Sequence, residues 1–226
     1  KDRTMSTAVL LGLSLVVIGE SHLADPTYLI GPMHTQLVQK GAKVHSVGVC
    51  GATPANWVTT TPSDCGRADR VNDAPVAVRI EAGAATTPIK DLIGNAKANA
   101  IIVVSGDTIG SYKAAEFPKS WAYQQVTTLT KAIAETGATC YWVGPGWSNI
   151  PGRFGKTHER VQALNSFLAE NTLPCIYIDS TKMSQPGEWK TIDGQHYNSA
   201  GYRAWGSAII SALENAMVAN PPKKAP

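Results

Sequence analysis

Two short blocks near opposite ends of the chain carry the side chains that acyl transfer needs. Gly19-Glu20-Ser21-His22 supplies a serine hydroxyl, and Asp193-Gly194-Gln195-His196 supplies a carboxylate and an imidazole three positions apart. A serine hydroxyl is a weak nucleophile until a base removes its proton, and histidine, with an ordinary pKa of about 6.5, is suited to that at neutral pH. The spacing of the second block lets the carboxylate orient the imidazole while the far ring nitrogen points back toward Ser21. Each block alone also has a plainer reading. Ser21 can cap a following helix, and Asp193 to His196 can form a capping loop ahead of the helix after Asn198.

For the blocks to cooperate, the elements between them must bring both to one edge. Short apolar runs alternate with longer amphipathic ones, the rhythm of β-α units wound into a parallel sheet. Five strands are expected, at Leu13 to Ile18, Lys43 to Val49, Ala100 to Ser105, Thr139 to Val143 and Cys175 to Ile178. Helical periodicity falls at Tyr28 to Gln39, Ile89 to Ala98, Ser120 to Glu135, His158 to Glu170 and Ala200 to Ala216, with Gly41 and Gly137 as stops. The Thr-, Pro-, Ala- and Gly-rich stretch from Thr53 to Thr87 reads as a long loop with one extra strand pair around Val76 to Ile80. Ligands of such folds bind beyond the carboxyl ends of the strands. Ser21, Gly51, Asp107 and the loop from Gly144 to Asn149 all follow proposed strands directly. No repeat or linker divides the chain, so residues 1–220 read as one domain and 221–226 as a flexible Pro/Lys tail.

With the blocks in this order, the sequence resembles the SGNH (GDSL-like) esterases and acyltransferases. Members of that family carry a Gly-Asp-Ser block after the first strand and a Gly after the second. A Gly-x-Asn-Asp block follows the third, and an Asp-x-x-His block precedes the last helix. Here Gly19-Glu20-Ser21-His22 matches the first block with Glu for Asp, and Gly51 matches the second. Ser105-Gly106-Asp107-Thr108 matches the third and Asp193-Gly194-Gln195-His196 the fourth. The likeness runs from Leu13 to Ala216. It implies a three-layer αβα, flavodoxin-like fold around a five-stranded parallel sheet. It also implies Ser21 as nucleophile, His196 as base and then acid, and Asp193 as its orienter, with no metal or organic cofactor. The implied oxyanion hole is formed by Ser21, Gly51 and position 107, and a glycine suits the second place because backbone without a Cβ can approach substrate closely.

The departure is Asp107. The family's Asn donates a hydrogen bond to the oxyanion, whereas an ionised Asp can only accept. Three readings follow: a protonated Asp107, a donor supplied from elsewhere, or a variant with weakened catalysis that serves as a polysaccharide-binding module. If position 107 serves the oxyanion directly, Asp107→Asn should raise turnover.

Composition sets the outer limits. A chain of 226 residues that is 43% hydrophobic supports a core and is no disordered tail. Charged residues make up 16%, and 20 basic against 17 acidic side chains leave a formal +3. No long Lys/Arg run is present to release phosphate counterions, which argues against a nucleic-acid partner. The apolar stretch from Ala8 to Gly19 is far shorter than the roughly 20 residues that span a bilayer and reads as a buried strand with a lead-in. The chain opens at Lys1 without an initiator Met, the pattern of a mature or trimmed form with any targeting segment upstream. The four cysteines contain no C-x-x-C pair. Cys50 and Cys65 end one loop, and Cys140 and Cys175 each open a strand-like run, so the natural pairing is 50–65 with 140–175. That pairing points to a periplasmic or extracellular setting; four buried thiols in a cytosolic enzyme are the alternative.

Gly155-Lys156-Thr157 resembles the end of a phosphate-binding loop, but the first glycine of that motif is replaced by Ile150 and Pro151 intrudes. Lys156 and Thr157 read instead as a helix opening. His22, Trp147 and Tyr197, with Trp57 and Trp189 nearby, are candidates for substrate contact, since flat rings at the crevice edge suit stacking on sugar faces. The equal alternative is that these rings are loop anchors. The expected activity is a serine esterase or O-acyltransferase acting on a small acyl group, acetyl above all, of a carbohydrate or envelope polysaccharide. The expected protein is a monomer, with a membrane acyl-donor protein as partner in the transferase version.

Overall fold

Leu15-Val16-Val17-Ile18 is apolar without alternation because both faces of this strand are covered, the pattern of a central strand in a parallel sheet. The computed structural model describes residues 9–80, 83–149 and 152–223. Its strands are β1 (Ser14–Gly19), β2 (Lys43–Val49), β3 (Arg67–Val71), β4 (Ala77–Arg79), β5 (Ala100–Val104), β6 (Thr139–Val143) and β7 (Ile176–Ile178). They form one sheet in the order β4-β3-β2-β1-β5-β6-β7. The strands β2, β1, β5, β6 and β7 run parallel, in the flavodoxin-like order. The helices are α1 (Pro32–Gln39), α2 (Ile89–Ala96), α3 (Lys119–Ala134), α4 (His158–Asn171) and α5 (Ser199–Ala219).

Successive strand side chains point to opposite faces, and the core divides accordingly. Leu15, Val17, Ile102 and Val104 pack with Met33 and Leu37 of α1 and Trp205 and Ile209 of α5. Val16, Ile18, Ile101 and Val103 pack with Leu92 of α2, Val126 and Leu129 of α3, and Leu164 of α4. Helices therefore cover both sides of the sheet in three layers. None of the helices among the described residues is long and apolar enough to cross a membrane. Of the stretch from Ala8 to Gly19, Ser14–Gly19 is β1 and Ala8 lies outside the described residues.

The sheet has seven strands rather than five. The two additions, β3 and β4, are antiparallel and extend the β2 edge. β4 falls where an extra pair was expected, but its partner β3 lies upstream in Arg67-Ala68-Asp69-Arg70-Val71, a segment too polar to look like a strand. Arg67 is nonetheless buried because Asp69 takes its fork at 2.6 and 2.7 Å. The Lys223 backbone N–H donates to Thr139 Oγ1 at 3.0 Å and its carbonyl accepts from Asn99, so residue 223 is tied to the sheet, while 224–226 lie outside the described residues. Both disulfides, Cys50–Cys65 and Cys140–Cys175, are present.

One glycine is required by packing against the site. A Cβ on Gly48 of β2 would collide with the backbone carbonyl of Leu23, in the turn that carries Ser21. Gly48→Ala is expected to destabilise the protein by about 1–3 kcal/mol, the usual cost of overpacking, and to displace that turn. Thermal unfolding together with ester turnover checks it; a variant with unchanged melting and unchanged turnover would remove Gly48 from the account.

Candidate active site

Ser21 opens a short 3-10 turn, Ser21–Leu23, directly after β1. His196 lies on the loop ahead of α5, and that loop is shaped by Asp193. Asp193 Oδ1 accepts the backbone N–H groups of Gln195 at 3.0 Å and His196 at 2.8 Å, which leaves Oδ2 for the imidazole. Nδ1 of His196 donates to Asp193 Oδ2 at 2.7 Å, and Nε2 stands 2.7 Å from Ser21 Oγ. With the Nδ1 proton committed to the carboxylate, Nε2 is free to accept the serine proton. Partial burial works against the Asp193 charge, but the hydrogen bonds from His196 and Gln195 hold its carboxyl below the usual range. The His196 ring is wedged in place: Tyr28 stacks on it at 5.4 Å and Phe154 meets it edge-on at 5.6 Å. The structure thus brings together three residues separated by up to 175 positions in sequence.

Gly51 follows β2 with φ of +77°, a left-handed conformation that glycine adopts without strain. The Cys50–Cys65 disulfide brackets it, and both half-cystines line the crevice beside Ser21. No hydrogen bond among the described residues uses the N–H of Ser21 or Gly51.

Asp107, at the end of β5, does not act as the family's Asn would. Its Oδ2 accepts from His22 Nε2 at 2.7 Å and from Lys156 Nζ at 2.9 Å, and its Oδ1 accepts from Tyr112 Oη. Burial opposes its charge, but the Lys156 cation, with His22 and Tyr112, holds its carboxyl well below the ordinary range. A fully bonded carboxylate has no proton to offer an oxyanion. The same network occupies His22. Burial lowers its pKa to about 4, so the ring is neutral; Nε2–H donates to Asp107 and Nδ1 accepts from Tyr202.

Lys156 is the residue that sequence reasoning passed over. It stands just ahead of α4, where Thr157 is the N-cap as expected, yet its side chain is only 1% exposed and turns inward to Asp107. The signal was available in the pair of loops that follow the adjacent strands β5 and β6: an acid at the end of one and a lysine on the other. The glycine block has a similar device. Glu20, also buried, crosses from the end of β1 to β5 and accepts the N–H groups of Gly106, Asp107 and Thr108 at 2.8–3.1 Å. Burial, and then the charge of Asp107, push its pKa up to about 7 despite those donors. A carboxyl whose pKa is higher folded than unfolded stabilises the fold fully below the unfolded value and loses that contribution as pH rises through the folded one. Through Glu20 stability falls between pH 4.5 and 7, while His22 and His34, whose pKa values burial lowers to about 4, make it rise over much of the same range, so the melting temperature of Glu20→Gln is expected to climb more steeply with pH than that of wild type. A slope unchanged in the variant would assign the titration to another group.

The crevice beside Ser21 has a volume of about 640 Å³, and Thr108, Tyr112, Phe154 and Gln195 contribute to its walls. His22, Trp147 and Tyr197, expected to touch substrate, do not line it. His22 is spent on Asp107 and Tyr202. Trp147 donates its Nε1–H to the carbonyls of Thr181 and Ser184, and Tyr197 is buried with its hydroxyl on the Trp147 carbonyl. These rings anchor loops, and Trp57 belongs to the core.

No family model matches the chain. It is 40% identical over 206 residues to "Protein BcsX" of Komagataeibacter xylinus, an alignment covering 91% of this chain and 78% of that protein. Its fold resembles a GDSL-like lipase from Bacteroides thetaiotaomicron, with a TM-score of 0.57 at 10% identity, over 90% of this chain and 89% of the other. It also resembles a peptidoglycan O-acetylesterase, with a TM-score of 0.55 at 11% identity, over 95% and 94% of the two chains.

Proposed function

Because the chain belongs to the family of Komagataeibacter xylinus protein BcsX and has the fold of the SGNH hydrolases, we propose that it is a serine esterase that removes a small acyl group, acetyl above all, from a carbohydrate or envelope polysaccharide. The carrying observation is the chain of contacts Ser21 Oγ to His196 Nε2 and His196 Nδ1 to Asp193 Oδ2, each 2.7 Å. Ser21 Oγ attacks the ester carbonyl as its proton passes to Nε2. The N–H groups of Ser21 and Gly51 receive the oxyanion, each donor contributing about 3 kcal/mol in comparable hydrolases. The imidazolium, stabilised by Asp193, returns the proton to the departing sugar hydroxyl. Water then takes the place of that hydroxyl, loses a proton to His196 as its oxygen bonds to the acyl carbon, and His196 returns that proton to Ser21 Oγ as the bond to the acyl carbon breaks and the acid leaves.

The carbohydrate assignment is supported by the O-acetylesterase among its structural neighbours, and a periplasmic or extracellular setting by the two disulfides. Ser21 is partly open to solvent, which favours water over a sugar hydroxyl as the final acceptor. A chromogenic acetyl ester assayed with and without a soluble glycan tests both points, alongside mass analysis after a serine-reactive phosphonate. The expected result is acetate release insensitive to the glycan and a single adduct at Ser21. No release and no adduct would leave the chain a binding module on this fold; acetylated glycan in place of acetate would make it a transferase.

A further inference from the structure

Two cations stand at the mouth of the crevice, and neither charged group donates a hydrogen bond among the described residues. Arg153 lies in the turn Gly152–Phe154 after β6, with its guanidinium carbon 4.7 Å from the centre of the Phe154 ring that abuts His196. Its acidic neighbour, Asp193 Oδ2, is 3.8 Å away, beyond hydrogen-bond reach, and already accepts from His196. Lys113 comes from the loop after β5 and is exposed; a Cβ on Gly155 would stand 3.4 Å from its Cγ, so its stem runs alongside the Arg153 turn. Asp107, the carboxylate among the lining residues, faces inward onto Lys156 and is neutralised there. An entering substrate meets two positive charges, that of Arg153 only loosely paired with Asp193, apolar walls from Tyr112, Ala114 and Phe154, and no exposed negative charge among the lining residues.

We propose that the crevice selects esters bearing a carboxylate, read by the Arg153 fork with Lys113 in support. The planar guanidinium matches a carboxylate in two parallel hydrogen bonds, and Phe154 holds it next to the reacting centre. The carboxylate is carried either by the acyl chain or by the sugar. The inference rests on the esterase reading and names its substrate class.

The acyl arm of the test compares para-nitrophenyl hydrogen succinate with para-nitrophenyl butyrate, and the sugar arm compares an acetylated methyl glucuronide with the acetylated methyl glucoside. In one arm kcat/KM is expected to favour the anionic ester by about fivefold or more at low ionic strength, through KM. That preference shrinks as salt rises and collapses toward unity in Arg153→Gln. Ratios near one in both arms, or a preference that Arg153→Gln leaves intact, would overturn the proposal. Calorimetric titration of the same four compounds into Ser21→Ala reads selection without turnover. Absence of hydrolysis throughout would sink the esterase reading alone, whereas equal binding of charged and neutral partners would sink this one.

Discussion

Ser21→Ala will lower the hydrolysis of an acetyl ester by about 10⁴-fold or more and leave the fold in place. The change deletes one hydroxyl whose bond to His196 is worth about 1 kcal/mol to stability, so circular dichroism and melting should stay near wild type. It also deletes the atom that must become acylated. His196→Ala should cost nearly as much alone, and the double variant little more than either, because the two groups act in one proton transfer. A phosphonate should label wild type at Ser21 and fail to label Ser21→Ala. Residual activity within tenfold of wild type in a properly folded variant would mean that chemistry occurs elsewhere.

The second large effect concerns the buried ion pair. Lys156→Met should destabilise the protein by about 3–5 kcal/mol, because it leaves the Asp107 carboxylate buried without its cation. Asp107→Asn should cost a comparable amount from the other side, leaving the Lys156 ammonium unpaired. Combining the two removes both charges, and Asp107→Asn/Lys156→Met should melt much closer to wild type than either single variant. This replaces the expectation that Asp107→Asn alone raises turnover. The amide would arrive at a site still holding a buried ammonium, and the loop that follows β5 would shift with it. Denaturant unfolding of the four species decides the point. Additive losses in the double variant, or a more active and equally stable Asp107→Asn, would show that the two residues are not a unit.

The parallel core was legible because buried strands write themselves as apolar runs, and β1, β2, β5, β6 and β7 fall at or within a residue or two of the expected bounds. The serine and histidine blocks were legible because each sits at the end of an element, where a short motif can be read without knowing what packs on it. Other features depend on partners far along the chain. β3 is polar in sequence, and its arginine is buried only because Asp69 pairs with it. Lys156 looks like a helix opening until the neighbouring loop places Asp107 beneath it. The aromatic side chains misled in the opposite sense. Trp147 and Tyr197 occupy loops at the right end of the sheet, but their polar atoms reach backbone carbonyls, and a ring anchored that way is a strut rather than a platform.

The disulfide between Cys50 and Cys65 closes a loop spanning 15 positions and ends beside the strand pair at the sheet's edge. Neither half-cystine belongs to the two apolar clusters that hold the layers together. The bond instead fastens the Gly51 amide to the outermost part of the sheet. On the proposed mechanism, a molecule in which this bond is missing would lose more activity than its lost stability explains, because the amide that receives the oxyanion would be tethered only by its own backbone. Activity per folded molecule would then record the redox history of the sample alongside the melting temperature, which loss of either disulfide lowers.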